Sequence, residues 1–128
     1  MDEKREFRMS LPNEPGQLAR VAGALGSRGI NIVTVAAIGA ANPVVSIVTD
    51  QEEQTREVLK ELDVSFEEIE LLTAKLPHKP GELGRLAKNL GDAGINIDSI
   101  YLLEESLGEV KIAFTVSDLA KARDILSL

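Results

Sequence analysis

Apolar residues along this chain recur with two periods, and the periods alternate in the same order twice. Phe7, Met9 and Leu11 are separated by Arg8 and Ser10, a period of two that predicts a strand with one buried face. Beyond a turn, Leu18, Val21, Ala22 and Leu25 form the stripe of an amphipathic helix, with Pro15 suited to its first position and Gly29 to its left-handed end. INIVTVAAI then predicts a buried strand, GAANP a loop and VVSIVT a further strand. Asp50 followed three residues on by Glu53 is a capping signature for a second helix, whose inner face is Thr55, Val58, Leu59 and Leu62. A short strand near Ser65 to Glu68 closes this half.

The second half runs through the same series. Leu72, Ala74 and Leu76 alternate on a strand, Leu83, Leu86, Ala87 and Leu90 stripe a helix, and Gly94 stops it. INIDSIYLLEE predicts a strand, and Val110, Ile112, Phe114 and Val116 alternate on another. Ser117 or Asp118 caps a last helix carrying Leu119, Ala122 and Leu126. Leu126 corresponds to Leu62, so the closing strand of this half is expected to be missing. The fold class is therefore α+β: two βαββαβ repeats of ferredoxin-like type, with antiparallel sheets, helices on one face, and the second repeat lacking its last strand. The expected domains are 1–69 and 70–128.

The repetition extends to the letters themselves. LPNEPGQLARVAGALGSRGINI, from Leu11 to Ile32, and LPHKPGELGRLAKNLGDAGINI, from Leu76 to Ile97, agree at 13 of 22 positions, where ordinary composition gives roughly one or two. The spacing of 65 residues exceeds the ~20 to 50 of solenoid units, which points to a duplicated domain. Each half alone is small enough to be marginal, so the two are expected to depend on each other.

Composition removes several function classes. With 44% apolar and 27% charged residues, the chain reads as an ordinary soluble globular protein, and no apolar run nears the ~18 to 20 residues of a membrane helix. MDEKREF carries no apolar leader core, and cysteine is absent, which excludes disulfides and thiol chemistry; a cytoplasmic location is expected. A net charge of −7 opposes nucleic-acid phosphates, so neither nucleic acid nor membrane is an expected partner. No nucleophile lies beside a histidine, no Walker-type loop occurs, and no His/Asp/Glu cluster has metal spacing, so neither catalysis nor a cofactor or metal is expected. The acidic positions Glu67, Glu68 and Glu70 read as surface strand and linker, and Arg20 and Arg85 as solvated helix positions.

The Pro-Gly turn before each helix, and the Gly-Ile-Asn-Ile after it, carry the candidate chemistry. A helix N-terminus offers unpaired N–H groups and partial positive charge, and Gly16 lets an anion approach the backbone. Asn13 before the turn and Asn31 past the helix offer amide donors and acceptors that two copies can bring together across an interface. Asparagine is also favoured in turns for local hydrogen bonding alone, and His78, the single histidine, reads first as an exposed loop residue.

These two phrases make the chain resemble the ACT domain, a small regulatory module that binds amino acids. The resemblance covers nearly all of it, twice, and is to short stand-alone tandem ACT proteins with no catalytic domain. It implies a non-catalytic sensor, with a free amino acid held between ACT domains. The implied ligand residues are Asn13, Glu14, Gly16, Gln17, Leu18, Asn31 and Ile32 in the first repeat, and His78, Gly81 and Asn96 in the second. Similar asparagines contact the effector in the serine-sensing domain of phosphoglycerate dehydrogenase; here His78 replaces the loop asparagine, and Leu11 and Leu76 replace a further polar residue. A homodimer is expected to cover the sheet edge left by the missing strand. The alternative is a ligand-free regulatory subunit or dimerisation module that clamps a client enzyme, as the small subunits of acetohydroxyacid synthase do.

Overall fold

A computed structural model describes residues 4–128; the first three residues of the expected domain 1–69 lie outside the described range. The chain divides into two compact units, Lys4–Ile69 and Glu70–Leu128. In the first unit β1 (Arg5–Met9), α1 (Gln17–Ser27), β2 (Ile32–Ile38), β3 (Val44–Thr49), α2 (Glu52–Glu61) and β4 (Phe66–Glu70) follow in order. Their sheet has the order β2-β3-β1-β4, with β3 antiparallel to both neighbours. The second unit contains β5 (Leu72–Pro77), α3 (Glu82–Asp92), β6 (Ile97–Ser106), β7 (Glu109–Val116) and α4 (Leu119–Leu126), with strand order β5-β7-β6. The second sheet is the first without its fourth strand, as the sequence pattern predicts, and β5 is left at an edge.

The alternating apolar residues form one core in each unit. Phe7, Met9 and Leu11 meet Val45 and Ile47 of β3, and Val21, Leu25, Val58 and Leu59 cover them from the helices. Phe7 and Phe66 add a tilted ring pair with centroids 5.8 Å apart. In the second unit Leu72, Ile112 and Phe114 pack under Leu86, Leu90 and Ala122.

Both long helices stop in the same way. The Ile30 N–H donates to the Leu25 carbonyl at 3.1 Å and Gly29 to Gly26 at 3.0 Å, and Ile95 and Gly94 repeat this with Leu90 and Gly91. This is a Schellman end, and Gly29 and Gly94 supply its left-handed residue at φ of 72° and 77°. The helix starts differ from expectation. Pro15 is not the first helical residue: Glu14 to Gln17 form a type II turn, with Gly16 at φ 88° and ψ −9° and the Gln17 N–H 3.4 Å from the Glu14 carbonyl. Lys79 to Glu82 repeat it, with Gly81 at φ 91°. Proline sets the first central φ and glycine alone tolerates the second, so the pair serves the turn and α1 begins after it.

Asp50 does not cap α2 either. Gln51 is the cap residue and makes no side-chain capping bond, while Asp50 Oδ1 accepts the Asn31 N–H at 2.9 Å. Asp118 is a true cap, accepting from the Lys121 N–H at 3.1 Å, and Ser117 Oγ takes the Asp50 role by accepting the Asn96 N–H at 2.9 Å. Arg20 is not simply solvated: its Nη1 donates to the Leu62 carbonyl at 3.1 Å and ties α1 to the end of α2. Two of the acidic residues are held by cations, with Arg56 bidentate on Glu68 at 2.8 and 2.6 Å and Arg123 on Glu70 at 2.8 Å. Among the described residues no helix is long and apolar enough to cross a membrane.

Candidate functional site: a duplicated turn pocket

Each Pro-Gly turn opens onto a pocket at the same place in its unit. In the first, β1 leads through Leu11 into the turn, α1 begins, and the end of β2 returns beside it. Asn13, Glu14, Gln17 and Leu18 line a cavity of about 160 Å³ with Ile38 and Gly39. Asn13 can lie there because Gly39 has no side chain; a Cβ at that position would stand 2.8 Å from Asn13 Nδ2. In the second unit, His78, Lys79, Glu82 and Leu83 line a cavity of about 350 Å³ with Ile100 and Leu102, and Tyr101, Val110 and Ile112 complete its wall. Shifting the first set by 65 residues gives the second: Asn13 becomes His78, Glu14 becomes Lys79, Gln17 becomes Glu82 and Leu18 becomes Leu83.

Leu18 and Leu83 were expected in the helix cores but are 45% and 53% exposed. A stripe at i, i+3, i+4 and i+7 identifies an apolar face without saying what meets it. Here the first residue of each stripe overhangs the sheet and borders the pocket.

The remaining candidate residues lie elsewhere in their units. Gly16 and Gly81 cap the helices at positive φ, with open space where a Cβ would be. Asn31 follows the far end of α1, and an 11-residue helix is about 16 Å long, so Asn31 cannot reach the turn of its own unit. Its backbone is fastened to Asp50 at both N–H and carbonyl. Its exposed side-chain amide takes no partner among the described residues. Asn96 differs, because its Nδ2 donates to Asp98 Oδ1 at 2.8 Å. Ile32 is half-buried and packs against the first core. His78 is tied into the second turn: its N–H donates to the Gly108 carbonyl at 2.8 Å, and its Nε2 lies 3.7 Å from Glu105 Oε2.

Sequence reasoning missed Lys79, Glu82 and Leu83 and the strand residues facing them. The signal was present, since Glu82 and Leu83 are the repeat equivalents of Gln17 and Leu18. Glu82 is the unusual member of the set. Its side chain is 7% exposed and pairs through Oε1 with both Arg85 and Lys79, whose Nζ is 3.9 Å away. Oε2 makes no hydrogen bond among the described residues and is not sealed from solvent.

The family model for the ACT domain matches residues 5–66, which is the first unit nearly end to end. Among solved structures, protein BT0572 from Bacteroides thetaiotaomicron matches with a TM-score of 0.85 at 17% identity, over 98% of this chain and 87% of that one. The ligand-free regulatory subunit of aspartate kinase from Thermus thermophilus gives a TM-score of 0.66 at 17% identity, over 98% and 91% of the two chains. The corresponding subunit from Thermus flavus gives 0.66 at 20% identity, over 99% and 92%. At these identities the likeness is one of fold. No curated protein matches the chain by sequence.

Proposed function

We propose that this chain, whose first unit matches the ACT domain, has a non-catalytic regulatory role in which a free amino acid binds at the Pro-Gly turn and the signal passes to a partner. One observation carries the reading: the duplicated turn opens a pocket at the same place in both units, where a left-handed glycine, a helix start and the end of a strand converge. Asn13, Glu14, Gln17 and Leu18 serve the first turn and His78 the second, while Gly16 and Gly81 shape the backbone. Asn31, with its uncommitted amide, reaches a ligand only from another ACT domain, such as that of a second copy of the chain. Asn96 is less available, being bonded to Asp98. The shared fold with separately folded regulatory subunits supports a role without chemistry of its own.

Calorimetric titration of the purified chain with the twenty amino acids tests this. At least one is expected to bind, and Asn31→Ala to weaken it about 5- to 150-fold, the range for losing one buried hydrogen-bonding partner. If no amino acid binds at millimolar concentration, the sensor reading is wrong. The alternative is then a ligand-free regulatory or dimerisation module, which the edge position of β5 among the described strands favours.

A further inference from the structure

Although the two pockets share a position, their linings suit different ligands. The first, at about 160 Å³, is less than half the size of the second, at about 350 Å³, so the second has room for a larger side chain. At the two equivalent polar positions the first presents Glu14 and Gln17, an acid and a neutral amide, with no cation in its wall. The second presents Lys79 and Glu82, opposite charges 3.9 Å apart. The strand opposite changes as well, since Val35, Ala36 and Ala37 become Ile100, Tyr101 and Leu102.

Resting on the reading above, we propose that the second pocket selects an amino acid with an apolar side chain. Glu82 receives its α-ammonium, Lys79 its α-carboxylate, and Leu83, Ile100 and Leu102 its side chain. A zwitterion carries its two charges on one carbon, so it needs an acid and a base side by side, which this turn supplies. Glu82 is suited to the ammonium because Oε1 is already occupied while Oε2 makes no hydrogen bond among the described residues, and because its carboxylate is held in place on a side chain only 7% exposed. Lys79 is 65% exposed on a flexible stem and can turn from Glu82 to a carboxylate. Leu83, Ile100 and Leu102 are 53%, 41% and 60% exposed, so an apolar side chain laid across them removes water from all three.

The experiment is titration of the full chain and its variants with L-leucine, L-phenylalanine, L-serine and L-aspartate. The apolar pair is expected to bind more tightly than the polar pair, with Glu82→Gln and Lys79→Ala each losing about tenfold or more. Leu102→Asp changes an exposed side chain that the core does not use, and it is expected to abolish the preference for apolar ligands. Arg85→Ala separates recognition from a structural role. If Glu82 serves only as the partner of Arg85, this variant should mimic Glu82→Gln; if Glu82 takes the ammonium, binding is kept or tightened. Preference for serine or aspartate, or unchanged binding in Glu82→Gln and Lys79→Ala, overturns the proposal and leaves the sensor reading intact. Failure of every amino acid to bind removes both.

Discussion

At the scale of single residues, conformational strain and charge pairing yield separate predictions. The hairpin between β6 and β7 turns through Leu107 and Gly108, both at positive φ, 50° and 79°, and Leu107 is fully exposed. Two left-handed residues define a type I′ turn, which suits Asn-Gly; leucine there bears a steric cost without burying its side chain. Leu107→Asn is therefore expected to stabilise the chain by roughly 1 kcal/mol, read from the urea midpoint. A midpoint that falls would contradict this account of the turn. Glu68 illustrates charge pairing. The side-chain hydrogen bonds from Arg56 hold its carboxyl below the ordinary 4.5, against the opposing effect of burial, and nearby Arg5 adds to the lowering. A lowered folded value means the pair stabilises fully above the ordinary glutamate range and that its contribution fades as pH falls through the folded value. With both side chains partly exposed, the pair is worth about 0.5–1 kcal/mol. Arg56→Ala should show that deficit at pH 7 and lose most of it at low pH, whereas a deficit independent of pH would mean packing dominates.

For the elements, the repeat shows how the same position takes different local chemistry. Asp118 caps α4, but Asp50, which carries the stronger capping signature, instead fastens the residue after Gly-Ile to the end of β3. Asp118→Ala is expected to cost about 0.5–2 kcal/mol, concentrated in α4, and hydrogen exchange should show faster opening of that helix. If protection in α4 is unchanged, the cap bond contributes nothing in solution. Element types were legible: periodicity marked the helices and the alternating strands, and apolar runs marked β2 and β3, although β2, expected as a buried strand, is half-buried to exposed along its length. The ends were less so, because a capping signature records only that a side chain can reach a free N–H. In the fold two such groups compete, and the N–H of Asn31 took the Asp50 carboxylate.

For the whole molecule, the second unit's three-stranded sheet leaves β5 at an edge, with no strand partner on its outer side among the described residues. An open edge presents free N–H and carbonyl groups that a second chain can pair. Beside it lies a groove of about 340 Å³ between β5, α3 and Leu126. A homodimer is the expected state, and light scattering at micromolar concentration checks it; a monomeric mass would remove this idea.

What the sequence determined by itself was order and repetition. Thirteen identities in 22 positions establish a duplicated domain, and periodicity fixes the strand and helix order, because burial of one face needs a fixed spacing along the chain. The glycines at 29 and 94 were legible as left-handed helix ends, since positive φ admits few other residues, whereas the positive φ of Gly16 and Gly81 belongs to a turn that only the structure showed. The tertiary structure decided which apolar residues of a stripe enter a core and which border an opening. Leu18 and Leu83 belong to the same stripes as Leu25 and Leu90, yet stay half-exposed at the turn, where they border the pockets. It also assembled Lys79 and Glu82 with Ile100 and Leu102. Those residues come from a turn and a strand some twenty positions apart, and no local pattern brings them together; only antiparallel pairing and the return of the chain beside the helix do so.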